Sequence, residues 1–218
     1  MITLYHCDAA RSFRPLWMLE ELGLGYELKM LPFPPRVFAK EYLGINPLGT
    51  IPFMIDGETK MTESSGICFY LGTKHGPTPL VVGQDDPAYG AFLNWMYFSD
   101  ATLTFPQTLV LRYSQLEPEE RRNPQVAGDY AKWFLGRLRA VEAATANAET
   151  LCAGRFTAAD IVNGYALRLA GNIGLAKDFG PNVAAYWARL QGRDGYQRAV
   201  AAERKAGVEQ NVAPRIRA

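Results

Sequence analysis

Asp56-Gly57 stands between two short alternating runs, Ile51–Ile55 and Thr59–Thr62, and this pair constrains the fold more than any other feature. Both residues tolerate the positive φ of a two-residue turn, so the runs are expected to close as a β-hairpin. The segments before it add a second constraint. Ile2–His6 alternates as a strand, with Ile2 and Leu4 on one face and Thr3 and Tyr5 on the other. From Ser12 to Leu22 the chain reads as a helix. Leu16, Leu19 and Leu22 recur at helical spacing, Pro15 sits in the first turn where its missing N–H costs little, and Gly23 is a stop. Tyr26–Leu31 alternates again. Strand, helix and strand make a β-α-β unit, whose strands run parallel through a right-handed crossover. A loop, Pro32–Pro35, leads into a short polar helix near Val37–Leu43, and a helix over Ser64–Lys74 ends at Gly76-Pro77. The predicted order is β-α-β-α-β-β-α.

A linker rich in Pro, Gly and Asp follows, and beyond it the strand signals fade. Tyr89, Phe92, Leu93 and Met96 are helically spaced, as are Tyr130, Trp133, Phe134, Leu138 and Val141. Thr157 can cap a helix while Asp160, three residues on, reaches back, with Phe156 and Ile161 as a hydrophobic staple. Pro181 and Gly192-Arg193-Asp194 punctuate two further helices, and the tail from Gly207 is expected to lie along the surface or be poorly ordered. Two domains are expected, an α/β domain over 1–77 and an all-helical one over 88–206. With 218 residues there is room for both.

Several function classes lose support on composition. A net charge of +1 sets up no field to recruit nucleic acid or an anionic membrane, so neither is expected as a partner. No apolar run reaches the roughly 18 residues of a membrane span. Met1–Ala10 lacks a basic region followed by a long apolar stretch, so no secretory signal is expected. Cys7, Cys68 and Cys152 are odd in number and widely spaced, which fits a reducing cytoplasm better than a disulfide framework. With only His6 and His75 beside them, no metal site is expected.

Asn46-Pro47-Leu48-Gly49-Thr50-Ile51-Pro52, followed after the hairpin by Glu63-Ser64-Ser65-Gly66-Ile67, resembles the paired signature of glutathione transferases. Phe156-Thr157-Ala158-Ala159-Asp160-Ile161 is similar to that family's capping-box motif. Leu4-Tyr5-His6 and Leu19-Glu20-Glu21-Leu22-Gly23-Leu24 are typical of its bacterial members. The resemblance runs from residue 1 to about 205 with the motifs in order. It implies a thioredoxin-like N-terminal domain, an all-helical C-terminal domain, glutathione as co-substrate and a two-fold homodimer. In that dimer, the first domain after Pro52 would pack against helices Tyr89–Phe98 and Tyr130–Val141 of the partner.

The resemblance also implies roles for individual residues. Pro52 would be cis, turning the Ile51 backbone outward to pair with the cysteinyl part of glutathione; read alone, Pro52 equally suits the start of an edge strand. Ser64, at a helix N-terminus, would take the γ-glutamyl carboxylate and Glu63 the ammonium, although both residues are also ordinary helix caps. The family's thiol-activating Ser or Cys falls here on Ala9 or Ala10, which donate nothing through their side chains. Ser12 is the nearest hydroxyl, with Arg11 or backbone N–H groups as alternatives, and an N-cap is its bland reading. Thr50 stands where the family commonly has a basic residue. Arg36 and Lys40 are then the available cations for the glycyl carboxylate, Arg36 offering the planar fork that suits it, unless it is only a solvated side chain. Tyr97, Phe105 and Tyr113 belong to the aromatic stretch that would line a site for a small hydrophobic electrophile. Cys7 offers thiol-disulfide chemistry instead, while Cys68 and Cys152 read as packing residues. The expected activity is glutathione conjugation; glutathione-dependent disulfide or peroxide reduction and a non-catalytic binding module stand as alternatives.

Overall fold

Alternate residues of a strand face one side, and in β1 (Ile2–His6) the buried side carries Ile2, Leu4 and His6. In the computed structural model, which describes residues 1–214, β1 lies inside a sheet of four strands. It pairs in parallel with β2 (Tyr26–Met30), Ile2 opposite Tyr26 and His6 opposite Met30. On its other side it pairs antiparallel with β3 (Phe53–Asp56), Tyr5 opposite Phe53. The expected hairpin forms, but its turn lies one residue later: Asp56 still pairs with Thr59, Gly57 and Glu58 make the turn with Gly57 at φ +59°, and the chain returns as β4 (Thr59–Met61) at the edge. The sheet order is β2-β1-β3-β4. Helices α1 (Phe13–Leu22), α2 (Pro35–Phe38) and α3 (Ser64–Lys74) complete the thioredoxin-like arrangement.

Boundaries differ where proline acts. β3 begins at Phe53, because Pro52 has no N–H for the ladder. The short helix expected near 37–43 is divided into α2 and a 3₁₀ turn at Lys40–Gly44, interrupted at Ala39.

Contacts divide the described chain into two units. One is Met1–Thr78 together with the chain from Gln191 onward; the other is Pro79–Leu190. This differs from the expected helical segment 88–206 at its C-terminal end. The last helix, α9 (Asp194–Glu209), packs on α1 of the first unit, where Tyr196 meets Phe13 and Trp17 edge-on with ring centroids 5.6 and 5.0 Å away. Arg193 grips Glu21 with two nitrogens, and Gln210 bonds the backbone of Met30 and Leu28. These partners lie far apart in sequence, so helical periodicity alone does not announce them.

The second unit contains α4 (Tyr89–Phe98), α5 (Phe105–Leu111), α6 (Pro124–Ala144), α7 (Ala158–Asn172) and α8 (Pro181–Gln191). Pro106 does not break the chain's path from α4 to α5. Wider π-helical turns at Ser99–Thr104 absorb it, and Thr104 Oγ1 donates to the Ser99 carbonyl at 2.6 Å. Most of α7 is buried, and its carbonyls accept side chains from the helices around it, Ser99 on Val162 and Gln107 on Ala166. The predicted capping box is present. Thr157 N–H donates to Asp160 Oδ2 at 2.8 Å, and the same carboxylate accepts from Leu151 N–H and Tyr186 Oη. No helix among the described residues is long and apolar enough to cross a membrane.

Candidate functional site

Register brings the candidate binding residues to one end of the sheet. Because Tyr5 pairs with Phe53, the loop that leaves β1 after His6 adjoins the chain entering β3 through Ile51-Pro52. The Ile51–Pro52 bond is cis. The start of α3 reaches the same region through Arg14, whose Nη1 donates to Ser64 Oγ at 2.9 Å. Both side chains are buried, and Arg14 has no exposed surface at all.

At α3 the capping reading does not describe what the side chains do. Glu63 occupies the N-cap position with no side-chain cap bond and is exposed. Ser64 Oγ accepts from Arg14, which leaves its own proton available for an acceptor. Next to it, Ser65 Oγ is buried with no hydrogen-bond partner among the described residues. The Ser64 hydroxyl and the unsatisfied N–H groups of an 11-residue helix thus meet at the start of α3, an arrangement suited to a carboxylate.

The loop after β1 is ordered from within. Cys7 N–H donates to Ser12 Oγ at 3.3 Å, and Ser12 is fully buried. Ser12 is the residue before α1 but makes no side-chain cap bond, so its hydroxyl serves the loop instead. Cys7 is also fully buried, with Sγ 3.8 Å from the Pro32 carbonyl. Ala9 takes a left-handed φ of +53°, uncommon for a residue with a Cβ. Arg11 is half-buried on the same loop.

The segment before Pro52 is held by Tyr42 and Asn46. Tyr42 Oη and Asn46 Nδ2 both donate to the Thr50 carbonyl, at 2.8 and 2.9 Å, and so fix the chain next to Ile51. Burial pushes the Tyr42 hydroxyl up to about 12. Gly49 turns at φ +58°, and a Cβ there would lie 2.7 Å from Arg36 Cβ, so only glycine fits. Arg36 is exposed, its stem against this turn. The sequence picked out Ile51, Pro52, Glu63, Ser64, Ser12, Arg11 and Arg36; it missed Arg14 and Tyr42, and it named Asn46 and Ser65 only within the signature, without a role.

The aromatic candidates belong to the second unit. Tyr97 is 70% exposed. Phe105 stands edge-on to Tyr130 and Trp133 of α6, which stack at 5.4 Å, with the Arg137 guanidinium over the Trp133 ring. Tyr113 lies under its neighbour Arg112. Helical spacing marks Tyr130 and Trp133 as neighbours, but the contact with Phe105 was not legible.

Residues 4–79 match the family model described as the glutathione S-transferase N-terminal domain. The chain is 31% identical over 217 residues to glutathione S-transferase hmp2 of Hypomyces subiculosus, covering 94% of this chain and 100% of that protein. It is 35% identical over 103 residues to glutathione S-transferase 3 of Schizosaccharomyces pombe, spanning 47% of this chain and 43% of that relative. Among solved structures, the glutathione transferase URE2P6 of Phanerochaete chrysosporium, crystallised in complex with oxidized glutathione, superposes with a TM-score of 0.81. It is 26% identical, covering 94% of this chain and 97% of that one. On the strength of a relative that matches along nearly its whole length, this chain belongs to the glutathione S-transferase family.

Proposed function

We propose that the chain binds glutathione at the sheet end formed by Ile51-Pro52, Glu63-Ser64 and the loop after β1, and presents its thiolate to a hydrophobic electrophile. The observation that carries this reading is the start of α3, where the Ser64 hydroxyl, propped by Arg14, stands at the N-terminus of the helix. A γ-glutamyl carboxylate would accept there, its ammonium would meet Glu63, and the backbone of Ile51 would pair with the cysteinyl unit. Arg36 is the cation for the glycyl carboxylate. Donors on the Cys7–Ser12 loop would stabilise the thiolate, which forms a C–S bond to the electrophile. The displaced group leaves with its electron pair, or a proton adds at the neighbouring carbon. Catalysis is then thiolate stabilisation and positioning. Tyr97, Phe105 and Tyr113 are the aromatic candidates for holding the electrophile.

A second reading, glutathione-dependent disulfide reduction, is favoured by the oxidized glutathione bound to the structural relative and by Ala9 and Ala10 at the usual activating position. It would run through glutathione's own thiol, since Cys7 is buried with its sulfur turned to Pro32.

Calorimetric titration tests the site. Glu63→Ala and Ser64→Ala each leave a charged end of glutathione without its partner, a loss of about 1.5–3 kcal/mol, or roughly 10–150-fold in affinity. Unchanged affinity in both variants would remove the site.

A further inference from the structure

The last helix reaches the loop on which the proposed thiolate site depends. The inward face of α9 is lined by Gly195, Tyr196, Ala199, Glu203 and Ala206, so one carboxylate interrupts an otherwise nonionic stripe. Glu203 is 2% exposed. Its Oε1 accepts from the Ala9 N–H at 3.0 Å and lies 2.9 Å from His6 Nε2. A carboxylate only accepts, so the proton of this contact sits on Nε2, and His6 is fully buried with Nδ1 unpartnered among the described residues. A single oxygen thus holds the last residue of β1 and the one left-handed alanine of the loop that follows.

The consequence concerns the positions between them and just beyond. His6 ends the strand, Ala9 turns the chain, and Cys7 and Ser12 close the loop through N–H···Oγ. An alanine at φ +53° persists only where its surroundings hold it, and the Ala9 amide is held by Glu203. Release of that bond frees the turn that sets where the Arg11 and Ser12 donors lie. We infer that Glu203 is a positioning residue, by which the last helix holds the Cys7–Ser12 loop in the conformation that stabilises the glutathione thiolate. The thiolate part of this rests on the binding reading above; the loop part stands without it.

The two possible actions of Glu203 on a thiolate have opposite signs. As a charge alone, it opposes a nearby anion, so its removal would lower the thiol pKa. As a positioning group, its removal raises that pKa. The test compares E203A, E203D (which keeps the charge but withdraws it by one methylene) and E203Q, which keeps a carbonyl oxygen for Ala9 N–H.

In the ligand-free proteins, amide exchange within residues 7–12 is expected to quicken at least roughly tenfold in E203A and E203D while α6 is unchanged. With glutathione bound, ultraviolet difference absorbance is expected to place the thiol pKa about one unit higher in both, roughly a tenfold loss of thiolate at neutral pH. E203Q restores most of each property. Where E203A fails to give folded protein, E203D carries both measurements. Unchanged loop exchange in the folded variants, or a thiol pKa that stays or falls, overturns the proposal. If exchange quickens but the parent protein binds no glutathione, the loop clamp stands, and the binding reading and the thiolate role fall together.

Discussion

Arg14 shows how much of the site rests on one side chain that no spacing rule marks. A fully buried guanidinium is costly unless its donors are met, and Nη1 gives one of them to Ser64. That bond joins the first turn of α1 to the first residue of α3, so a buried charge orients the hydroxyl at the helix start. Ser12 and Cys7 form a second such pair, and they separate hydroxyl from thiol chemistry. Ser12→Ala removes the acceptor of the Cys7 N–H, a loss of about 1–3 kcal/mol in stability. If Ser12 also donates to the bound thiolate, conjugation of a model aromatic electrophile slows by about 10²–10³ where that donor dominates, and the thiol pKa rises. Cys7→Ser is expected to leave conjugation nearly intact, because the thiol is enclosed and directed at Pro32. pH–rate profiles of both variants check the pattern. The reverse, with reductase turnover lost in Cys7→Ser and Ser12→Ala mild, would make the thiol the nucleophile. Full conjugation in both would assign the thiolate to Arg11 or backbone donors.

Among the elements, the connection from α2 to β3 carries its own pH signature. The Tyr42 hydroxyl titrates near 10 in an unfolded chain and is pushed up to about 12 here by burial. Between those values the folded protein holds a proton that the unfolded chain has lost, so stability falls as pH rises through the window. Tyr42→Phe removes that slope but also loses the bond to the Thr50 carbonyl, worth about 1 kcal/mol. Denaturant unfolding is expected to show the variant weaker at neutral pH and the gap narrowing from pH 10 to 12. A constant gap would mean Tyr42 does not titrate there. The hairpin at Asp56-Gly57, α3 at Ser64–Lys74 and the Thr157/Asp160 box were legible because each is encoded within a few consecutive residues. The allegiance of α9 was not. Its contacts are Tyr196 on Trp17 and Glu203 on His6, 197 residues apart in the second case, and local periodicity carries no information on such pairs. The π-helical turns that accommodate Pro106 were equally silent, since a proline in a helical pattern reads first as a break.

At the scale of the whole molecule, the exposed apolar side chains argue for self-association. Leu48 is 63% exposed at the turn before Pro52, with Phe38 and Ile45 exposed on neighbouring segments of the same unit. In the other unit Trp133, which is 44% exposed, stands on α6. Apolar side chains left in water at two separate places suit a two-fold dimer, in which each copy covers both of its partner's patches with its own. We propose that arrangement, with the surface around Leu48 of one copy against α4 and α6 of the other. Light scattering at micromolar concentration is then expected to return twice the chain mass of 24.2 kDa. Leu48→Glu places a charge in the apolar contact without touching Ile51, Pro52, Glu63 or Ser64, so the variant should approach 24.2 kDa while its circular dichroism stays that of the parent. Trp133→Glu, in the second patch, should do the same, because a reciprocal interface fails from either side. A parent protein of single-chain mass at these concentrations would dismiss the dimer. A dimer untouched by both substitutions would place the interface elsewhere.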